Sequence, residues 1–100
     1  MSDFDFSSIF GICFGLELDE EDPSIFLNLD KNTLSKGDCS STITLFKDNS
    51  YERTENLFSL ATFYGKWKFE NGILIMQDDD EGRIMEHKIK SISENKIEFY

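Results

Sequence analysis

The sequence of 100 residues contains little proline, little cysteine and no long apolar run. Pro23 is its one proline and glycine occurs six times, which excludes collagen-like and low-complexity chains. No stretch approaches the length of a transmembrane helix. Cys13 and Cys39 form no C-x-x-C pair. Two reduced thiols are the favoured interpretation, with a disulfide as the alternative.

Positive charge is also scarce, since ten lysines and arginines stand against twenty aspartates and glutamates. The formal net charge of −10 argues against binding to nucleic acid or to an anionic membrane. Such acidity suits either simple solubility or recognition of a basic protein. Residues 1–22 carry aspartates where a secretory signal would carry positive charge, which predicts a cytoplasmic protein.

The most informative stretch is a hairpin signal in the second half of the chain. Apolar residues make up 39% of the sequence, enough for a single domain over residues 1–100. Asn71 and Gly72 lie between two apolar runs and accept the positive φ that a type I′ turn requires. The resulting register places Trp67 opposite Met76. Side chains alternate along a strand, so one face of this hairpin is buried.

Period-two patterns predict further strands along the whole chain. Residues 8–18 alternate in this way, and a helix there would contain Gly11 and Gly15 at about 1 kcal/mol each. These glycines are typical of a bend or a close backbone approach. A three-residue loop at 93–95 would place Ile89 opposite Phe99. Other strands are predicted at 24–30, 41–47, 50–55, 83–91 and 96–100, and the link at 56–60 has room for a short helical turn.

The sequence therefore predicts a mainly β protein. Its seven to eight short strands form an antiparallel meander, with at most one short helix, curled into a small barrel or a strongly bent sheet.

Two acidic turns are the candidate contact sites for a partner. Consecutive carboxylates on an extended backbone point in alternate directions, so no metal site is expected there. A calcium loop is not expected at 30–34 either, because Leu34 occupies the third ligand position. The candidate partner-binding residues are Asp19, Glu20, Glu21, Asp22, Asp78, Asp79, Asp80 and Glu81.

Catalytic chemistry has little support in the sequence. It lacks a glycine-rich phosphate loop, a nucleophile elbow and a metal-spaced Cys/His cluster. The one histidine, His87, lies on the apolar face of a predicted strand, where a hydrogen-bonded core residue is more common than a base. The prediction is a protein that is not an enzyme, with no catalytic residue and no cofactor.

One pattern extends over the second half of the chain, from about residue 41 onward. The residues that carry it are Phe46, Asp48, Asn49, Tyr51, Gly65, Trp67, Leu74, Met76, Ile89, Ile92, Ile97 and Phe99. By these residues the sequence resembles the small bacterial lipocalin-like (calycin) domains, in which a hairpin of the F-x-x-D-G-x-Y type precedes a G-x-W/Y strand, an L-x-[LI] strand and a closing pair of strands. The resemblance implies a barrel with an apolar cavity that can hold a ligand.

Two functions are expected from these observations. The first is a small acidic cytoplasmic protein of the immunity or inhibitor type, which neutralises a basic protein by charge complementarity at the acidic turns. The second is a lipocalin-like barrel that binds a small apolar ligand, although filling a barrel of this length leaves little volume. The cavity residues of this alternative are Phe63, Trp67, Phe69, Leu74 and Met76.

Overall fold

A computed structural model describes residues 4–80 and 82–100. Eight strands close into one antiparallel barrel, which confirms the predicted fold class. Within the described residues the only helices are 3-10 turns at Phe6–Ser8 and Lys36–Asp38, and none has the length and apolarity to cross a membrane. The strands are β1 (Cys13–Glu17), β2 (Ile25–Asn28), β3 (Cys39–Leu45), β4 (Ser50–Asn56), β5 (Leu60–Glu70), β6 (Ile73–Asp78), β7 (Ile84–Ile92) and β8 (Lys96–Phe99).

The β5–β6 hairpin has the predicted register. Asn71 and Gly72 form its turn with φ of 52° and 80°, in the left-handed region that a type I′ turn needs. Trp67 pairs with Met76 as expected. Alternation then carries the inward side chains of both strands into the barrel core, where Leu74 and Met76 are fully buried. Burial of such a side chain contributes about 1.5–3 kcal/mol.

Residues 4–12 close one end of the barrel with aromatic rings. Phe6 packs against Trp67 at 5.1 Å between ring centroids, and Phe4 packs against Phe69 at 5.7 Å. Gly11, with φ of 77°, then turns the chain into β1. The predicted strand over 8–18 is therefore too long, since only Cys13–Glu17 is extended. We call this end of the barrel the closed end.

The connection between β2 and β3 departs from a simple meander. β1 pairs with β2 on one side and with β3 on the other, so residues 29–38 cross over the outside of β1. A Cβ atom on Gly15 would lie 2.5 Å from Cys39 Sγ and 2.8 Å from Leu29 Cδ1. A bend or a close backbone approach was predicted for this glycine, and the atoms that come close to it belong to the side chains of Cys39 and Leu29. Cys13 and Cys39 are free thiols, and burial raises the pKa of Cys39 to about 11.

The β7–β8 hairpin has the predicted residue pair, but the loop length is not what produces it. Ile89 does pair with Phe99. Residues 93–95 separate the two strands as predicted, but Ser93 N donates to Lys96 O at 2.9 Å, so the number of residues between paired positions in this turn is even. A register shift between Ile89 and Ser91 adds one residue to β7, and this extra residue brings Ile89 opposite Phe99. The link at 57–59 is a bend, without the helical turn for which it had room.

Candidate functional site

The end of the barrel opposite the aromatic closure is open. Because neighbouring strands are antiparallel, the β1–β2, β4–β5 and β6–β7 connections all lie at this open end. A cavity of about 220 Å³ reaches into the barrel here. Its apolar wall includes Phe26, Ile43, Met76 and Met85, and its polar wall includes Arg53, Glu55 and His87.

A buried ion pair lies beside this cavity. Arg53 and Asp78 are each only 5% exposed. Arg53 Nε donates to Asp78 Oδ1 at 3.1 Å, while Arg53 Nη2 donates to Asp78 Oδ2. Arg53 Nη1 donates to Glu55 Oε1 at 2.8 Å, and the Tyr51 hydroxyl donates to Asp78 Oδ1. The Phe63 ring stacks on one face of the guanidinium, with its centroid 4.2 Å from the central carbon.

Strand alternation explains how these groups meet. Tyr51 and Arg53 are inward positions of β4, and Asp78 is the inward position that ends β6. Gly65 of β5 lies between them, paired with Tyr51 on one side and with Asp78 on the other. Since Gly65 has no side chain, the Tyr51 ring can cross over it and reach the Asp78 carboxylate.

The protonation states follow from these contacts. Hydrogen bonds from Arg53 hold the pKa of Asp78 below its usual range, even though burial opposes this. Burial and the bond to Asp78 raise the pKa of the Tyr51 hydroxyl well above its ordinary value. At neutral pH the network is therefore a carboxylate, a guanidinium and a neutral phenol. These groups satisfy each other, which is typical of a structural network.

His87 is not the hydrogen-bonded core residue that the sequence predicted. It points into the cavity from β7 and is exposed, and among the described residues its side chain has no hydrogen-bond partner. Its ring lies 5.2 Å from that of Phe99. The prediction is wrong because β8 ends opposite Ile89 and leaves this part of β7 open. Partial desolvation lowers the pKa of His87, so the imidazole is neutral at pH 7.

The acidic turns lie at the open end, but they do not contribute equally. Asp19, Glu20, Glu21 and Asp22 are all exposed in the β1–β2 turn, as are Asp79 and Asp80 after β6. The prediction that Asp78 contacts a partner is corrected, because its buried carboxylate is bonded to Arg53 and Tyr51 and is not accessible to a partner. Glu81 lies outside the described residues. Across the described ranges, no group of three or more His, Cys, Asp or Glu side chains is placed to hold a metal ion.

Exposed apolar side chains at the open end were missed by the sequence analysis. Leu57 is 81% exposed and Phe58 is fully exposed, both in the β4–β5 turn. Exposed apolar residues that lie together are more informative than scattered ones, and Leu57 and Phe58 are neighbours in one turn. The pair Leu57-Phe58 within a linker was the available signal. The exposed apolar residues at this end are Leu18, Leu57, Phe58, Leu60, Ile84 and Tyr100.

The five predicted cavity residues do not surround one cavity. Trp67 and Phe69 pack against the aromatic rings of the closed end, and Leu74 lies within the core. Met76 alone lines the 220 Å³ cavity, while Phe63 covers the Arg53 guanidinium. An apolar ligand would therefore contact a different set of residues.

No family model, no curated protein and no solved structure matches this chain. The resemblance to lipocalin-like domains stays a prediction.

Proposed function

We propose that this chain is a small, acidic, non-catalytic binding protein of the immunity or inhibitor type, which neutralises a basic protein through the open end of its barrel. The observation that carries the proposal is the exposure of Leu57 and Phe58 at the end that also bears both acidic turns. The proposal includes a cytoplasmic location, which suits two free thiols because reduced cysteines persist there.

The chemistry of this end resembles that of a protein interface. Interfaces have an apolar centre and a polar rim, and a few large side chains supply most of the binding free energy. Burial of an exposed leucine or phenylalanine contributes about 1.5–3 kcal/mol. The exposed carboxylates would form the rim and select a basic partner, because opposite charges steer association and like charges oppose it.

A photo-crosslinking experiment tests this function. A photoreactive residue replaces Phe58 at the open end, and in a matched control it replaces Asn95 at the closed end, in cells that make the protein. We expect an adduct with a basic protein from position 58 and none from position 95. The association rate constant of the purified pair should fall about tenfold or more as salt is raised. Equal adducts from both ends, no adduct from position 58, or an acidic partner would contradict the proposal.

A second candidate function is the binding of a small apolar ligand in the open-end cavity. The supporting observation is the apolar wall that includes Met76 and Met85. A volume of about 220 Å³ is below the roughly 300–1,000 Å³ of ordinary small-molecule sites, so only a fragment-sized ligand would fit.

Indole is a suitable probe for this second candidate. We expect it to shift the methyl NMR signals of Met76 and Met85, and Met85→Trp should abolish the shift of Met76 by filling the cavity. Unchanged methionine signals at millimolar indole would exclude the candidate.

A further inference from the structure

Strand β5 extends beyond its neighbour β6 at the open end. β5 pairs with β4 from Leu60 onward, but its first residue partner in β6 is Asp78, opposite Gly65. One further bond, from Asp79 N to Tyr64 O at 2.9 Å, ends the contact with that side. Within the described part of the chain, residues 60–64 therefore have a strand on one side only, and the Tyr64 carbonyl is the one backbone group of theirs that is bonded on the other side. We call residues 60–64 the free edge.

The backbone groups of the free edge can be assigned from the bonds next to it. Trp67 N donates to Asn49 O at 2.8 Å, so odd-numbered residues of β5 direct their N–H and C=O groups toward β4. Even-numbered residues direct theirs the other way, as the Tyr64 carbonyl does. The N–H and C=O groups of Leu60 and Thr62 thus point away from β4, and no described residue pairs with them.

We propose that an extended segment of a basic partner adds to the free edge as a ninth strand. This inference rests on the proposed function and specifies how the partner binds. Main-chain hydrogen bonds to Leu60 and Thr62 would supply affinity, as in other complexes formed by strand addition. The edge also lacks the lysine, proline or bulge that usually protects an exposed strand from pairing.

A notch beside the free edge favours a basic segment. This space of about 170 Å³ lies between Thr62 and Tyr64 of the edge and Asp79 and Asp80 of the β6–β7 turn. Both of these aspartates are exposed. A lysine or arginine on the added strand can place its charge in the notch, because alternate side chains of that strand point to the same side.

The same charges disfavour a second copy of this chain as the added strand. Each copy carries a formal net charge of −10, and pairing two free edges would bring their aspartates together. β7 offers another open edge, since β8 pairs with it only from Ile89 and through the bond from Tyr100 N to Lys88 O. Glu86 and Lys88 on that edge are charges of the kind that protect strands from pairing.

Hydrogen exchange with a defined probe tests the proposal in the unmodified protein. The probe is a synthetic peptide of alternating lysine and valine, of about six to eight residues, which is the length of an ordinary strand. We expect the amides of Leu60 and Thr62 to exchange at least about tenfold more slowly when the peptide is bound. A peptide with glutamate in place of lysine should have no effect. Protection at β7, or no protection by the lysine peptide, would overturn the proposal.

Two variants separate main-chain pairing from general attraction. Thr62→Pro removes the outward N–H without removing a bond to β4, and edge positions tolerate proline. We expect peptide binding to weaken about tenfold in Thr62→Pro and to stay unchanged in Thr62→Ala. Equal affinity of both variants would contradict strand addition. The hydrogen-exchange result keeps the proposal testable if Thr62→Pro does not fold.

The two proposals can fail separately. Crosslinks from position 58 without peptide protection of the free edge would leave the proposed function intact and exclude strand addition. Peptide protection without a crosslinked partner would support the edge and contradict the proposed function. A dimer in sedimentation velocity that Thr62→Pro abolishes would assign the edge to a second copy and overturn the basic partner.

Discussion

Asp78→Asn is expected to lower the free energy of unfolding by about 3–5 kcal/mol, the usual cost of leaving a buried charge without its partner. The variant has nearly the same volume, so the loss reports charge and hydrogen bonding. Arg53 is only 5% exposed, and although Glu55 Oε1 would still accept from its Nη1 atom, a neutral amide at position 78 would leave its Nε and Nη2 atoms without a charged acceptor. Urea denaturation followed by the fluorescence of Trp67 measures the change.

Asp79→Asn is the matched control, since Asp79 is the next residue and is exposed. We expect it to change the free energy of unfolding by no more than about 0.5 kcal/mol. Equal effects of the two substitutions would mean that Asp78 is not the partner of a buried cation.

The pH dependence of Asp78→Asn has a definite sign. Hydrogen bonds from Arg53 lower the pKa of Asp78 in the folded state below that in the unfolded chain, which is near 3.9. The unfolded state then binds the proton more readily, so the stabilisation is complete above the unfolded pKa and is lost as pH falls through the folded pKa. We expect the difference in stability between wild type and Asp78→Asn to be full at pH 7 and to shrink below about pH 4.

The β5–β6 hairpin could be predicted down to its register because two independent patterns agree. The turn residues Asn71 and Gly72 allow one short turn type, and alternation allows one buried face. The start of β1 could not be placed in the same way. Gly11 adopts positive φ in a turn, while Gly15 makes room for Cys39, and the two roles look alike in a sequence.

The candidate site was only partly predictable. Extending the alternation from Leu74 and Met76 by one step reaches Asp78, so its inward position could have been read from the sequence. The inward position distinguishes Asp78 from Asp79 and Asp80, which follow it and are exposed. The pair Leu57-Phe58 within a linker was a signal, but the exposure of both side chains depends on where β4 and β5 end at the turn between them. The positions of the turns decide this exposure, and they cannot be read from the composition.

Gly65→Ala is the second substitution with a large expected effect. A Cβ atom at this position would lie 2.6 Å from Tyr51 Oη and 2.7 Å from Tyr51 Cζ, and closer still to the backbone oxygen of Gln77. Neither neighbour can move freely, because Gln77 belongs to the β6 ladder and the Tyr51 hydroxyl is bonded to Asp78. Overpacking costs about 1–3 kcal/mol, and loss of the bond to a charged acceptor adds about 1.5–3 kcal/mol.

Gly37→Ala separates this effect from the general consequence of replacing glycine. A Cβ atom on Gly37 would meet only Ser35 Oγ, at 3.7 Å, which is an ordinary contact. We expect Gly37→Ala to leave the urea midpoint unchanged or slightly raised, and Gly65→Ala to lower it strongly. Spectrophotometric titration should also show Tyr51 ionising at lower pH in Gly65→Ala, because a displaced ring leaves its buried site beside Asp78. If Gly65→Ala were as stable as Gly37→Ala, Tyr51 would not cross over Gly65. The Tyr51 hydroxyl of β4 would then not reach the Asp78 carboxylate across this glycine.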